Sequence, residues 1–209
     1  MTDAAGRPRM RIKSHWFKPG AEKGATEIAG AAGFIVFRIA QNALKHMRGA
    51  GYELPPGAPY FAFLAEFLAF LTLCADRIAH ARGDEAWRVE FTTAMANKVG
   101  GYLADNQADL LGGDSPEGYK KRFIALVNER SVDYAGFRWT DEGPEYGFVR
   151  CFGHCVAETM QAHDQTWAIS QVIECEAPEA VDLMRGAMAG LLDPAPRRRS
   201  RGQAGARGE

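Results

Sequence analysis

The sequence predicts an all-α protein, a single-domain bundle of five or six helices with disordered basic tails. Apolar residues recur at three- and four-residue steps, which is the spacing of one helix face. Glycine and proline clusters separate these stretches, and no stretch alternates apolar and polar residues for long enough to require a sheet. The predicted helices span residues 25–47, 60–82, 85–111, 116–132, 144–174 and 178–192.

The first two helices are separated by a break that is rich in glycine and proline. Ile28, Ile35 and Ile39 mark the apolar face of the first helix. Residues 49–59 contain three prolines, which cannot lie inside a helix. The second helix, 60–82, is apolar almost all round, and such a helix is expected at the centre of a bundle.

Capping residues define the third and fourth helices. Gly83 and Asp84 provide a stop and an N-cap before the third helix. Two adjacent glycines, Gly100 and Gly101, predict a kink in its middle. Ser115 is a suitable N-cap for the fourth helix, and the proline that follows it suits a first helical turn.

Proline opens each of the last two predicted helices. The connector before them, residues 133–143, contains Tyr134, Phe137 and Trp139, so we expect it to pack against the bundle rather than move. Pro144 then opens the fifth helix and Pro178 the sixth.

The charge is distributed unevenly along the chain. Its formal net charge is −1, but residues 1–13 and 194–209 together hold 9 of the 25 basic and 2 of the 26 acidic residues. We therefore predict a basic disordered tail over 1–13, a helical domain over 14–193 with a net charge of −8, and an Arg/Gly-rich disordered tail over 194–209. An acidic body disfavours a nucleic-acid duplex, so no sequence-specific nucleic-acid partner is expected.

Cysteine usage and hydropathy predict a cytoplasmic protein. No apolar segment follows the basic start of the chain, so we expect no secretory signal and a reducing compartment in which the 4 cysteines stay free thiols. The most apolar window, 58–75, is shorter than the roughly 20 residues of a membrane span and contains Glu66. We expect a core helix and no transmembrane segment, with peripheral membrane contact left open.

The most distinctive polar group is a possible metal-binding face on the fifth helix. Cys151, His154, Cys155 and Glu158 share one helix face, and their side chains are good ligands for zinc. One helix cannot easily surround a tetrahedral ion, so a neighbouring helix would have to complete the site. The alternative is that the cysteines are small packing residues and that His154 and Glu158 form a surface pair.

A second candidate is the carboxylate of Glu66 among phenylalanines and leucines. Such a group must be paired, protonated or next to a cavity. Arg77 lies on the same face but about 16 Å away along the helix, so we expect Arg38 or Lys45 of another helix as its partner. The interpretations are a structural ion pair or a ferritin-like metal ligand, and no Glu-x-x-His pattern supports the second.

Two histidines complete the list of buried polar candidates. His80 lies on the same helix face as the Glu66 carboxylate. His163 shares an apolar stripe of the predicted fifth helix with Phe152 and Val156. A histidine in such surroundings is either a hydrogen-bonded core residue or part of a small-ligand pocket.

The function that these patterns favour is a non-catalytic one. The sequence contains no GxGxxG, GxxxxGK[ST], GxSxG or HExxH motif. We predict a helical interaction protein with an adaptor, assembly or regulatory role that needs no cofactor. Its partner would be another protein or a second copy, a homodimer formed through the aromatic second helix. The alternative is a zinc-binding helical-bundle protein that could be an enzyme.

Overall fold

The helices largely follow the glycine, proline and capping residues of the sequence. The computed structural model describes residues 23–81 and 83–192, so the predicted tails lie outside it. Its helices are α1 (Ala25–Gly49), α2 (Ala58–His80), α3 (Glu85–Leu111), α4 (Pro116–Asp133), α5 (Tyr146–Glu158), α6 (Gln165–Gln171) and α7 (Ala177–Leu192). A π-helical segment, Val172–Glu176, joins α6 to α7, so these form one continuous helix and the described residues contain six helices. The predicted all-α bundle is confirmed.

Helix α2 lies at the centre of the bundle, as its all-round apolar surface predicts. It contacts α1, α3, α4, α5 and α7. By length and composition it could cross a membrane, with a mean hydropathy of 1.7 over its most apolar window, but 72% of that window is buried inside the protein. That burial is typical of a core helix, and the described residues contain no clear transmembrane span.

The phenylalanines of α2 are used within the chain itself. Phe63, Phe67 and Phe70 have no exposed surface, and Phe61 is 2% exposed. These phenylalanines therefore pack against neighbouring helices of the same chain and offer no exposed aromatic surface. The homodimer stays a prediction.

The predicted caps of α3 and α4 are present. The Asp84 carboxylate accepts the backbone N–H of Trp87 at 2.7 Å, and the Ser115 hydroxyl accepts that of Gly118 at 3.1 Å. Helix α3 continues through both of its central glycines. A Cβ at Gly100 would lie only 3.0 Å from Cδ1 of Phe123, so this glycine allows α4 to approach α3 closely.

The predicted fifth helix is wrong in its length. Instead of running from 144 to 174, α5 ends at Glu158, and residues 159–164 form a loop. The Thr159 hydroxyl donates to the Val156 carbonyl at 2.7 Å, and the backbone N–H of Met160 donates to the Ala157 carbonyl at 2.9 Å. These local bonds satisfy carbonyls that another helical turn would otherwise use.

Pro178 lies inside a helix rather than at the start of one. Proline has no N–H to donate to a preceding carbonyl and crowds the turn before it. Just before it, the backbone N–H of Ala177 donates to the Val172 carbonyl five residues earlier, which is the π-helical pattern. The wider turn carries the helix past the proline, so α6 and α7 stay continuous.

A short hairpin that the sequence did not predict follows α4. Strands β1 (Trp139–Thr140) and β2 (Gly143–Pro144) pair antiparallel, and Gly143 takes a φ of +123°, which favours glycine. In the connector before the hairpin, Tyr134 is 1% exposed and its ring contacts Phe148 with a centroid separation of 4.5 Å. The prediction that the connector packs against the bundle is confirmed.

Candidate functional site

A cleft at one end of the bundle is lined by arginines. It has a volume of about 760 Å³ and lies between the end of α2, the start of α3, the connector with its hairpin, and the end of α7. The ionisable residues of the lining are Arg77, His80, Arg88, Arg138, Asp141 and Arg185. We call it the arginine cleft. Its lining has more cationic than anionic side chains, although the body of the protein is acidic.

Two of the arginines hold the connector in place. Arg77 of α2 donates from Nη2 to the Tyr134 carbonyl at 2.9 Å, at the start of the connector. Arg185 of α7 donates from Nη1 to the Glu142 carbonyl at 2.9 Å and from Nη2 to the Asp141 carbonyl, at the hairpin turn. These acceptors are neutral backbone carbonyls, so the bonds fix the wall of the cleft without neutralising its charge. Arg185 is also partly paired with a carboxylate, because its Nη1 lies 3.8 Å from Asp182 of the same helix.

The third arginine is neutralised by neighbouring carboxylates. Arg88 donates to both carboxylate oxygens of Asp76, at 3.0 and 2.7 Å, and lies 3.3 Å from Glu85. The hydrogen bond to Asp76 raises the pKa of Arg88, and Thr92 also donates to Asp76 at 2.6 Å. This cluster joins the end of α2 to the start of α3, so Arg88 serves the fold more than the cleft.

Arg138 is the arginine available to a ligand. Its side chain is exposed and, within residues 23–81 and 83–192, makes no hydrogen bond or ion pair. Its backbone is held, because its carbonyl accepts the N–H of Glu145 at 3.2 Å. A guanidinium offers five N–H donors and stays protonated, so Arg138 can bind an anion that enters the cleft.

The remaining lining is aromatic on one side. Phe137 and Trp139 are half-buried, and both pack on the buried ring of Phe148, with centroid separations of 6.2 and 6.5 Å. A Cβ at Gly147 would lie only 2.9 Å from Cε1 of Phe137. Because glycine has no side chain, the Phe137 ring can occupy this position. The cleft therefore combines cationic groups with two planar rings.

The predicted metal-binding face is not assembled as a ligand set. On α5, Cys155 is buried and Cys151 half-buried, whereas His154 and Glu158 are exposed. Burial raises the pKa of Cys155 to about 12 and also raises that of Cys151, which opposes the thiolate form that binds metals. Within 23–81 and 83–192, no group of three or more His, Cys, Asp or Glu side chains is placed to hold a metal ion.

Glu66 is a buried ion-paired carboxylate, but its expected partner was wrong. Neither Arg38 nor Lys45 of α1 reaches it; Arg130 of α4 donates to its two oxygens at 2.9 and 2.8 Å. The two side chains are 8% and 11% exposed. Arg130 also donates to Asp133 at 2.8 Å. The hydrogen bond to Glu66 raises the pKa of Arg130. The structure supports the interpretation as a structural ion pair.

The sequence did contain an indication of Arg130 that the interpretation missed. Tyr119, Phe123 and Val127 form the buried stripe of α4, and Arg130 continues it at the next three-residue step. A lone arginine in register with an apolar stripe is expected to face a buried acid.

The two histidines expected to be buried are both exposed. His80 is at the rim of the arginine cleft, on the solvent side of the last turn of α2. His163 lies in the loop after α5 with its side chain 63% exposed, and its Nε2 is 3.8 Å from Glu53 and 3.7 Å from Asp164. The reason for the second error is the helix end at Glu158, which removes His163 from the apolar stripe.

A second polar cluster joins α1 to the π-helical segment. Nδ1 of His46 lies 3.4 Å from Glu176 and 3.7 Å from Glu179. Glu176 is only 3% exposed and accepts a hydrogen bond from Gln171 at 3.1 Å. Burial is the main reason why the pKa of Glu176 lies above its ordinary value near 4.5.

This raised pKa predicts a pH-dependent stability that Glu176→Gln removes. Between the unfolded and folded pKa values the folded protein binds more protons, so the contribution of Glu176 is most favourable at low pH and is lost as the pH rises. The variant is expected to flatten this part of the profile, measured by urea unfolding at several pH values above about 4.5. Glu179→Gln, whose side chain is 56% exposed, is the matched control. Parallel profiles for wild type and Glu176→Gln would contradict the expectation.

The described residues form an all-α helical bundle that carries a cationic cleft. No protein-family model, curated protein or solved structure matched this chain.

Proposed function

We propose that this chain is a non-catalytic helical interaction protein of the cytoplasm, with an adaptor, assembly or regulatory role, and that it binds an anionic ligand in the arginine cleft. The observation that carries the proposal is the state of Arg138. It is an exposed guanidinium without a partner among the described residues, beside a cleft of about 760 Å³. A concave site of this size with a few convergent polar groups is typical of ligand binding.

The surroundings of Arg138 support binding to an anion. Arg77 bonds to a backbone carbonyl and has no carboxylate partner among the described residues, so its charge adds to that of Arg138. Arg185 bonds to backbone carbonyls and lies 3.8 Å from Asp182, an ion pair that reduces its own contribution. Among the residues that the structure describes, Asp141 is the one carboxylate of the lining. Multiple guanidinium groups around one cleft favour carboxylate or phosphate ligands, because charge-assisted hydrogen bonds are the strongest that side chains make.

The proposed role is one of binding rather than catalysis. The lining contains His80 and the hydroxyl of Thr140, but within 23–81 and 83–192 the His80 side chain makes no hydrogen bond or ion pair. A nucleophile beside an oriented base is the usual arrangement for covalent or acid–base chemistry. The cleft instead offers guanidinium N–H donors, which suit a ligand that is bound without being transformed.

The proposal is tested by charge reversal at Arg138. We expect the wild-type protein to bind inorganic phosphate and Arg138→Glu to weaken that binding at least about tenfold, because a charge-assisted hydrogen bond is lost and a repulsion gained. Chemical-shift changes during a phosphate titration measure both affinities. Arg38→Glu is the control, since Arg38 is an exposed cation of α1 that does not line the cleft. Equal affinities for the two variants, or no binding by wild type, would refute the proposal.

A further inference from the structure

The arginine cleft is larger than a simple anion requires. Its volume of about 760 Å³ lies within the range of roughly 300–1,000 Å³ found for small-molecule pockets. One water molecule occupies about 30 Å³ in the liquid, so an inorganic oxyanion would leave most of the cleft filled with solvent. The space therefore points to an organic ligand that carries the anionic group.

The wall beside Arg138 is suited to a flat ring. Phe137 and Trp139 flank Arg138 in sequence and all three line the cleft. Their rings are half-buried and supported from behind by Phe148, which has no exposed surface. Aromatic side chains held in this way offer a face or an edge to a planar group such as a nucleobase. Stacking of this kind depends little on which of the nucleobases is bound.

The cationic groups suit a phosphate monoester better than a carboxylate. A monoester carries about −1.5 to −2 charges at neutral pH and three acceptor oxygens. Arg138 has all five N–H donors available, whereas Arg77 uses one nitrogen and Arg185 two nitrogens for backbone carbonyls. Arg185 also lies 3.8 Å from Asp182, so Arg138 and Arg77 are the main cations for a ligand. Together the three guanidinium groups have more free N–H donors than one carboxylate has acceptor sites.

We propose that the ligand of the arginine cleft is a nucleoside monophosphate. Its phosphate binds Arg138, with Arg77 and Arg185 completing the cationic surroundings, and its base packs against Trp139 and Phe137. This inference rests on the proposed function, since it names the class of anion that the cleft binds.

The test compares four probes on the full-length protein by isothermal titration calorimetry: AMP, ribose 5-phosphate, adenosine and phenyl phosphate. We expect AMP to bind at least about tenfold more tightly than ribose 5-phosphate or adenosine, because only AMP engages both the guanidinium groups and the rings. Arg138→Ala weakens AMP and ribose 5-phosphate alike.

Variants at Trp139 separate the ring contact from the charge contact. Trp139→Leu is expected to lower the affinity for AMP about tenfold and to leave that for ribose 5-phosphate unchanged. Trp139→Phe keeps an aromatic ring and is expected to retain most of the AMP affinity. Its comparison with Trp139→Leu separates loss of the ring contact from a general folding defect. Trp167→Leu is the matched control, because Trp167 is 71% exposed and does not line the cleft.

Each failure has its own meaning. If ribose 5-phosphate binds as tightly as AMP, or if Trp139→Leu binds AMP as wild type does, the base contact is refuted and the anion-binding function stands. If phenyl phosphate matches AMP, the nucleoside class is refuted in favour of aryl phosphates in general. If no phosphate-bearing probe binds, this inference and the proposed function both fail.

Discussion

Arg130→Met is expected to lower the free energy of unfolding by about 3–5 kcal/mol, because it leaves the Glu66 carboxylate buried without its cation. The Glu66 side chain is 8% exposed and accepts two hydrogen bonds from Arg130. For a chain of this length, the loss corresponds to a fall of about 6–20 °C in the unfolding midpoint. Circular dichroism during thermal unfolding measures it.

Two further variants show that the effect comes from the unpaired charge. Replacing both partners, Glu66→Leu with Arg130→Met, should recover much of the stability, since apolar side chains of similar volume can substitute for a buried pair. Arg122→Met removes an exposed pair with Asp114 and should change the midpoint little. A midpoint for Arg130→Met close to that of Arg122→Met would show that the buried pair is not important for stability.

Phe70→Ala is expected to cost about 3–5 kcal/mol of unfolding free energy, as large-to-small substitutions of buried aromatics do. Phe70 has no exposed surface and stacks on Phe152 with a centroid separation of 3.9 Å and an interplanar angle of 6°. Its edge also meets the rings of Phe148 and Tyr134, at 5.5 and 6.3 Å. Removing it opens a cavity where α2, α5 and the connector meet.

The matched control for this aromatic cluster is Phe34→Ala. Phe34 lies on α1 and is 42% exposed, so the same truncation there removes little buried surface and leaves no enclosed cavity. Urea unfolding of both variants gives the comparison. Similar losses for the two phenylalanines would mean that the cluster around Phe70 adjusts to fill the space.

The first four helices could be predicted because their ends are marked by residue chemistry. Asp84 and Ser115 cap helices through their own side chains, and prolines stop α1 from continuing into α2. The end of α5 has no such mark. Residues 159–164 contain neither glycine nor proline, and the helix ends through the bond from Thr159 to its own preceding turn. Local sequence does not distinguish that threonine from one in a helix interior.

The arginine cleft could not be predicted from spacing, because its residues are distant in the chain. Arg77, Arg138 and Arg185 lie on α2, the connector and α7, and only tertiary packing brings them together. The partner of Glu66 was missed for a related reason. Helical periodicity gives the face on which a side chain lies but not which neighbouring helix covers that face.

Anchoring of the connector at two points has a thermodynamic consequence for the ligand binding that we propose. Arg77 bonds to its first residues and Arg185 to its hairpin turn, while the ring of Tyr134 is embedded between Phe70 and Phe148. The backbone that carries Arg138 and Trp139 is thus ordered before any ligand arrives. If the cleft binds a ligand as we propose, little backbone entropy is lost on binding, so more of the contact energy between ligand and protein remains as affinity.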